Sequence, residues 1–175
     1  EWTRRYVSQN TLFRWPLRQC YQQIRMALER MTGTRCAYCG GPLQLESLST
    51  VDHLRPKRVF KELAFSWSNL HASCTVCQRN KGEKWCEIVL QPDQAAYDFS
   101  AYFIANFATG AVDPSPLASP SHQERAQATI EFFGLNSEPR RTARLRELRA
   151  FLRRDPAESL AEDFNYLFFL EAAGL

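Results

Sequence analysis

No stretch of this chain stays apolar long enough to span a bilayer, and no charged-then-apolar leader opens it. It holds no internal repeat and no low-complexity tract. Lysine is scarce, and Lys57, Lys61, Lys81 and Lys84 all fall between Asp52 and Trp85. These absences argue against a membrane-spanning helix and a repeat architecture, and set the expectation of a soluble, cytoplasmic protein with no membrane partner. The first residue is Glu rather than Met, which leaves a missing or processed start open. Of 175 residues, 45% are hydrophobic and 13% aromatic, enough for one compact domain or a small core with helical additions.

Six cysteines would suit a disulfide framework in a secreted chain, but their spacing argues otherwise. Cys36-Ala37-Tyr38-Cys39 and Cys74-Thr75-Val76-Cys77 are two Cys-x-x-Cys knuckles. A thioredoxin-type redox motif needs one such pair, whereas two pairs supply the four thiolates of a tetrahedral structural zinc. A zinc closed by Cys36, Cys39, Cys74 and Cys77 keeps no open position. Chemistry must then come from residues the zinc frame holds, and Asp52-His53, bracketed by the knuckles, are the first candidates. Cys20 and Cys86 read as small buried apolar residues.

The formal net charge of +3 says little, but its distribution says more. The lysines cluster around the second knuckle, and Arg140 to Arg154 carries Arg at 140, 141, 144, 146, 149, 153 and 154 against the single acid Glu147. Clustered cations suit a polyanion such as nucleic acid. For the arginine cluster, a solvated helix face or a dock for an acidic partner fits equally.

Apolar residues at helical spacing (Leu17, Tyr21, Ile24, Leu28, Met31) predict a helix over 17–31, with Pro16 suited to its first turn and Gly33 as its stop. Residues 44–53 alternate loosely and predict a strand ending at Asp52-His53. Pro56 stops that strand, so 54–68 should be a surface loop. A short strand is expected over 69–73, and the second knuckle should open a helix that runs through Gln78 to about 84. A hairpin is expected around Thr109-Gly110. Ser121 with Glu124 is a capping-box pattern, with Gly134 as the stop, and a further helix should cover 138–154. Asp155-Pro156-x-Glu158 predicts the start of a final aromatic-rich helix over 157–173.

The order strand, Asp-His, loop, Asn, metal knuckle, helix resembles an HNH endonuclease with the ββα-metal fold. The resemblance rests on Cys36 and Cys39, Val51-Asp52-His53 with Pro56, Asn69-Leu70, Cys74 and Cys77, and Lys81-Gly82. It implies His53 as general base and Asp52 as a ligand for Mg²⁺ or Mn²⁺. Asn69 would be the residue that fixes the loop and orients the base. The family's second metal ligand is a His or Asn right after the last knuckle cysteine, and here that position is Gln78. Asn80 has the expected chemistry but lies about 200° further around a helix, so helical register favours Gln78. Arg55, Lys57, Lys81 and Lys84 would contact phosphates.

Residues 129–136, followed by the Arg/Leu-rich helix, resemble the tail of small bacterial HNH proteins that work beside an ABC-type ATPase, as in Septu-type and retron-associated antiphage systems. That implies an ATPase partner controlling a nuclease. The expected fold is α+β: an N-terminal helical segment (1–33), a zinc-pinned HNH core (34–90) and a mostly helical extension (91–175). The expected function is metal-dependent phosphodiester hydrolysis, with DNA ahead of RNA. The alternative is a zinc-stabilised nucleic-acid-binding or scaffold module with a decayed site. Cut-site preference, activation trigger and stoichiometry are not encoded legibly.

Overall fold

The computed structural model describes residues 1–9, 12–43, 49–94, 97–155 and 157–174. They divide into two compact units, one of Glu1–Ala37 with Pro42–Cys86, the other of Tyr38–Gly41 with Glu87–Leu175.

The first unit is built on a two-stranded antiparallel hairpin, β1 (Ser49–His53) and β2 (Leu70–Cys74), in the register Ser49↔Cys74 to His53↔Leu70. Two helices precede it, α1 (Trp2–Gln9) and α2 (Arg18–Met31), and α3 (Thr75–Lys81) follows. The sequence predicted α2 but not α1, whose apolar pattern is interrupted by Arg4 and Arg5. Pro16 lies one residue before the N-cap Leu17, and Gly33, at φ +56°, follows the C-cap Thr32. Both strands pack on α2, and α3 folds back on them. Val51, Leu54, Leu70, Ala72 and Leu28 are buried.

The predicted strand thus appears over 49–53, while residues 44–48 lie outside the described residues. The second strand is shifted by one residue from expectation, and α3, opened by the knuckle as expected, ends at Lys81 rather than about 84. Cys74 is both the last residue of β2 and the N-cap of α3, its sulfur accepting the Cys77 amide at 3.4 Å. The helix therefore starts inside the knuckle, three residues before Gln78, and stops at Gly82 (φ +56°). The 54–68 loop tightens into two single-turn 3-10 segments, Lys61–Leu63 and Trp67–Asn69.

In the second unit, β3 (Phe103–Asn106) and β4 (Ala111–Pro114) form the expected hairpin through Thr109-Gly110. Then come α4 (Pro120–Phe133), α5 (Glu138–Phe151), α6 (Leu160–Asp163) and α7 (Leu167–Glu171). The capping-box reading of Ser121 and Glu124 is wrong. Ser119 is the N-cap, accepting the His122 amide, because Pro120 already occupies the first helical position. Gly134 is left-handed, as a helix stop requires.

The single final helix over 157–173 is also wrong. The capping pair does form, since the Asp155 amide donates to Glu158 and the Ala157 amide to Asp155, yet it closes only a turn. Pro156 itself lies outside the described residues. Phe164 is extended and Tyr166 is left-handed at φ +51°, so the chain breaks into α6 and α7. The break lets Phe164 reach a core with Phe151 and Leu170.

Two arginines of the basic cluster are structural. Arg140 donates to the Phe133 and Gly134 carbonyls at 2.5 and 3.0 Å, at the α4 C-terminus, where carbonyls have no helical partner. Arg144 is fully buried and donates to Gly110 O at 2.6 Å and Leu135 O at 2.5 Å. Arg146, Arg149 and Arg153 remain exposed. Arg144→Ala would leave two buried carbonyls without donors and is expected to lose on the order of 3 kcal/mol of stability. Arg146→Ala should stay within about 0.5 kcal/mol. Urea unfolding of the two variants measures both, and an equal, small loss would refute the structural role of Arg144.

Candidate active site

Asp52 and His53 close β1. Strand alternation sends neighbouring side chains to opposite faces, and the environments of the two differ accordingly. Both nevertheless border one cleft of about 160 Å³, shared with Pro56 and Lys57 from the loop and with Gln78, Lys81, Gly82 and Glu83 from the end of α3.

His53 is buried at 4% exposure. Its ring packs edge-on to Phe13 (5.2 Å between centroids) and stacks with Trp15 (5.9 Å, 28°). Nε2 lies 2.9 Å from the Ala64 carbonyl. A carbonyl only accepts, so Nε2 carries the hydrogen, and in the neutral ring Nδ1 is the basic atom. Burial lowers the His53 pKa to about 4, against the opposing effect of the Ala64 hydrogen bond, with Lys57 and Lys81 lowering it further. The ring is therefore neutral at pH 7, the state a proton acceptor requires.

Asn69, 3% exposed, holds the loop at both ends. Its Oδ1 accepts the Arg55 amide at 2.7 Å, while Nδ2 donates to the Arg55 carbonyl at 3.0 Å and the Leu63 carbonyl at 3.2 Å. Leu63 precedes Ala64, so the same carboxamide that closes the loop fixes the carbonyl that orients His53.

Asp52 is buried with Lys81, whose Nζ stands 3.4 Å from Asp52 Oδ2. Burial lowers the Lys81 pKa and the Asp52 carboxylate opposes that shift. Directly across the ladder from Asp52 is His71, also buried. Gln78 borders the cleft and Asn80 is not among its described lining residues. Lys57 borders it too, its Nζ 5.3 Å from the Phe13 ring. Arg55 stands apart, exposed, over the Trp85 ring at 5.2 Å, and Lys84 is exposed beyond α3.

Cys36, Cys39, Cys74 and Cys77 bring their sulfurs within 4.8 Å of one another, all buried and none in a disulfide. Tetrahedral zinc at about 2.3 Å from each sulfur requires separations of about 3.8 Å, so this donor set fits with small adjustments. The Cys74 amide points at Cys36 Sγ at 3.4 Å, an N–H···S contact that favours a thiolate.

Of the residues expected from sequence, the structure brings Asp52, His53, Lys57, Gln78 and Lys81 to one cleft, together with Glu83, which was not expected. Nothing flagged Phe13 and Trp15 as supports of His53, or the Ala64 carbonyl as its anchor. The aromatic density of Phe13-Arg14-Trp15 and Phe65-Ser66-Trp67 was the available signal.

Comparison with known proteins agrees with this arrangement. Residues 36–84 match the family model for HNH endonucleases. The chain is similar to the Septu protein PtuB of Bacillus thuringiensis, 38% identical over 60 residues, covering 34% of this chain and 23% of the relative. It is also similar to the Septu protein PtuB of Bacillus mycoides (strain KBAB4), 25% identical over 87 residues, covering 42% of this chain and 30% of that protein. Each match therefore spans less than a third of the relative's own length. Among the described residues no helix is long and apolar enough to cross a membrane.

The buried neutral imidazole makes a pH prediction. Its folded pKa of about 4 lies below the ordinary 6.5, so between those values the unfolded chain binds the proton and the folded one does not. Stability is then lost as pH falls through that window, about 2 kcal/mol of it between pH 7 and pH 5. Urea unfolding without added divalent cations should show this loss in the wild type and not in His53→Gln, once the pH dependence common to both is subtracted. Matching slopes in the two proteins would contradict the buried neutral ring.

Proposed function

We propose that this chain is a metal-dependent endonuclease that hydrolyses phosphodiester bonds of nucleic acid, with His53 as general base. The observation that carries the reading is the joint one: a neutral imidazole oriented by a backbone carbonyl, beside a carboxylate, in a cleft bordered by cations and braced by a four-cysteine cluster. The HNH match over residues 36–84 supports it.

A phosphodiester resists attack because it is anionic and its leaving oxygen is poor. His53 Nδ1 would take the proton from an attacking water. A pKa near 4 makes a weak base, but an anionic phosphate entering the cleft raises it toward neutrality, where proton transfer is most effective. Asn69 acts as a positioning residue, holding the Leu63-Ala64 segment against the ring. Lys57 faces the cleft and would neutralise phosphate charge, with Arg55 and Lys84 contacting flanking phosphates. Lys81 lies deeper, balancing Asp52. Asp52 with Gln78 would hold the divalent cation, since a carboxylate and an amide oxygen in one cleft are the hard donors that Mg²⁺ or Mn²⁺ prefers. Such a cation, when bound, supplies charge stabilisation at the phosphorus and the leaving oxygen. Helical register and the cleft's lining both favour Gln78 over Asn80.

Zinc on Cys36, Cys39, Cys74 and Cys77 would serve structure alone. The similarity to Septu proteins supports a role in antiphage defence with an ABC-type ATPase as controlling partner, in the cytoplasm. A second reading is a binding module with a decayed site. Its support is the buried Lys81, already paired with the carboxylate that a cation would need, together with Gln78 in place of the family's His or Asn.

Two measurements test the function. Wild-type protein should cut plasmid DNA or RNA with Mg²⁺ or Mn²⁺, and His53→Ala should cut about 100-fold to 10,000-fold more slowly at unchanged zinc content. A wild type inactive with every metal and with its neighbouring ATPase supplied would favour the binding module. Metal analysis should return about one zinc per chain, and Cys77→Ser should lose that zinc together with a cooperative thermal transition. Full cooperativity without zinc would refute the cluster's role.

A further inference from the structure

The first unit carries a second concavity that the hydrolytic chemistry does not use. It encloses about 530 Å³ and is lined by Trp2, Arg5, Tyr6, Leu12, Arg14 and Phe65, with Pro16 at its edge. That volume lies in the range of small-ligand clefts. Its lining is unlike a core. Trp2 is 42% exposed and Leu12 77%, and both arginines are exposed, while the aromatic floor is firm. The floor consists of Tyr6, buried, and Phe65, whose ring centroid lies 6.0 Å from Trp2 and 5.3 Å from Phe13.

This groove is continuous with the wall of His53. Phe65 directly follows Ala64, whose carbonyl holds the imidazole, and Phe13 and Trp15 pack on both Phe65 and His53. Cations stand along the same wall. Lys57 and Lys61 lie over the Phe13 and Tyr6 rings at 5.3 and 5.8 Å, and no described lining residue is acidic. Arg5 is partly compensated by Glu1, at 2.8 Å. Arg14 makes no ion pair among the described residues and adjoins Phe13 and Trp15 in sequence.

Aromatic side chains and guanidinium groups lining one groove suit a nucleobase that has left its stack, with phosphates on either side of it. A paired duplex presents its phosphates but keeps its base faces covered. We infer that this groove binds an unstacked base of a single-stranded segment leading to the scissile phosphate, with the base on Trp2 and Phe65 and the backbone on Arg14 and Arg5. The inference rests on the nuclease reading for the position of the cut and narrows the substrate to strands with an unpaired flank.

The test uses fluorescence anisotropy with a labelled oligothymidylate, an abasic strand of the same length and a duplex. The full chain carries His53→Gln so that nothing is cut. Oligothymidylate should bind about ten-fold more tightly than the abasic strand. Trp2→Ala should lose that difference and leave the abasic affinity unchanged. Arg14→Ala should weaken both strands alike and lower the slope of log affinity against log salt by about one. Circular-dichroism melts of each variant report folding. Equal affinity for thymidine and abasic strands, or a Trp2→Ala variant that is folded and binds as before, would overturn the proposal. Plasmid cutting by the wild type is scored separately. Cutting without base-dependent binding removes the groove alone, and base-dependent binding without cutting removes the nuclease reading alone.

Discussion

A ladder of five residue pairs carries everything that matters here. A two-stranded hairpin of that size is marginal in water, because its own hydrogen bonds and the few side chains on one face barely offset the entropy of ordering it. Yet this one bears a buried carboxylate, a buried imidazole and a buried ammonium within two residues of its end or beside it. Each of those groups costs free energy to desolvate. The hairpin must therefore be held from outside, and the helix on one side, the knuckle sulfurs at its far end and the pinned loop at its near end are the means. Ser49 pairs with Cys74 at one end of the ladder and His53 with Leu70 at the other, so the cysteine cluster and the candidate base sit at opposite ends of the same five rungs.

The near end is held by hydrogen bonds as well as by packing. Asn69 satisfies backbone groups of Arg55 and Leu63, eight positions apart in the chain. A loop of this length would otherwise sample many conformations, and the carbonyl of Ala64 would wander with it. Fixing the loop through a carboxamide, which offers both an acceptor and donors in one plane, leaves the imidazole a single orientation and a single tautomer. Phe13 and Trp15 then remove the remaining rotational freedom of the ring. The site's geometry thus depends on an Asn that touches no reacting atom.

Residue type and spacing made the polar members legible. Paired cysteines, Asp52-His53 and Asn69 each impose a local requirement that a short window of sequence displays, whereas the stop of α3 at Gly82 fell short of the expected end at 84. What escaped was decided by contacts between windows. Phe13 and Trp15 lie forty and thirty-eight positions from His53, and nothing local distinguishes them from core aromatics. The final helix failed for a related reason. Glu158 accepted the Asp155 amide as the pattern required, while the Asp155 carboxylate took the Ala157 amide instead, and the chain broke where Phe164 enters its core. Arg140 and Arg144 looked like surface charge because sequence shows their number and not the unpaired carbonyls of α4 and Gly110 that they satisfy.

The burial of Lys81 bears on how such a site can meet a polyanion without collapsing first. Exposed cations alone would be screened at physiological ionic strength over about 8 Å and would bind phosphate anywhere along a strand. A buried ammonium is different. It is screened little, and its Nζ stays 3.4 Å from the Asp52 carboxylate. Removing Lys81 would strand a buried carboxylate, whereas removing Lys84 would subtract one exposed charge among several. The two lysines, three residues apart in the chain, therefore belong to different problems. The deep one pairs with the buried acid, and the outer one contributes to the field that draws a phosphate in. A fold that separates these roles along one helix end can let the outer charges vary while the inner pair stays constant.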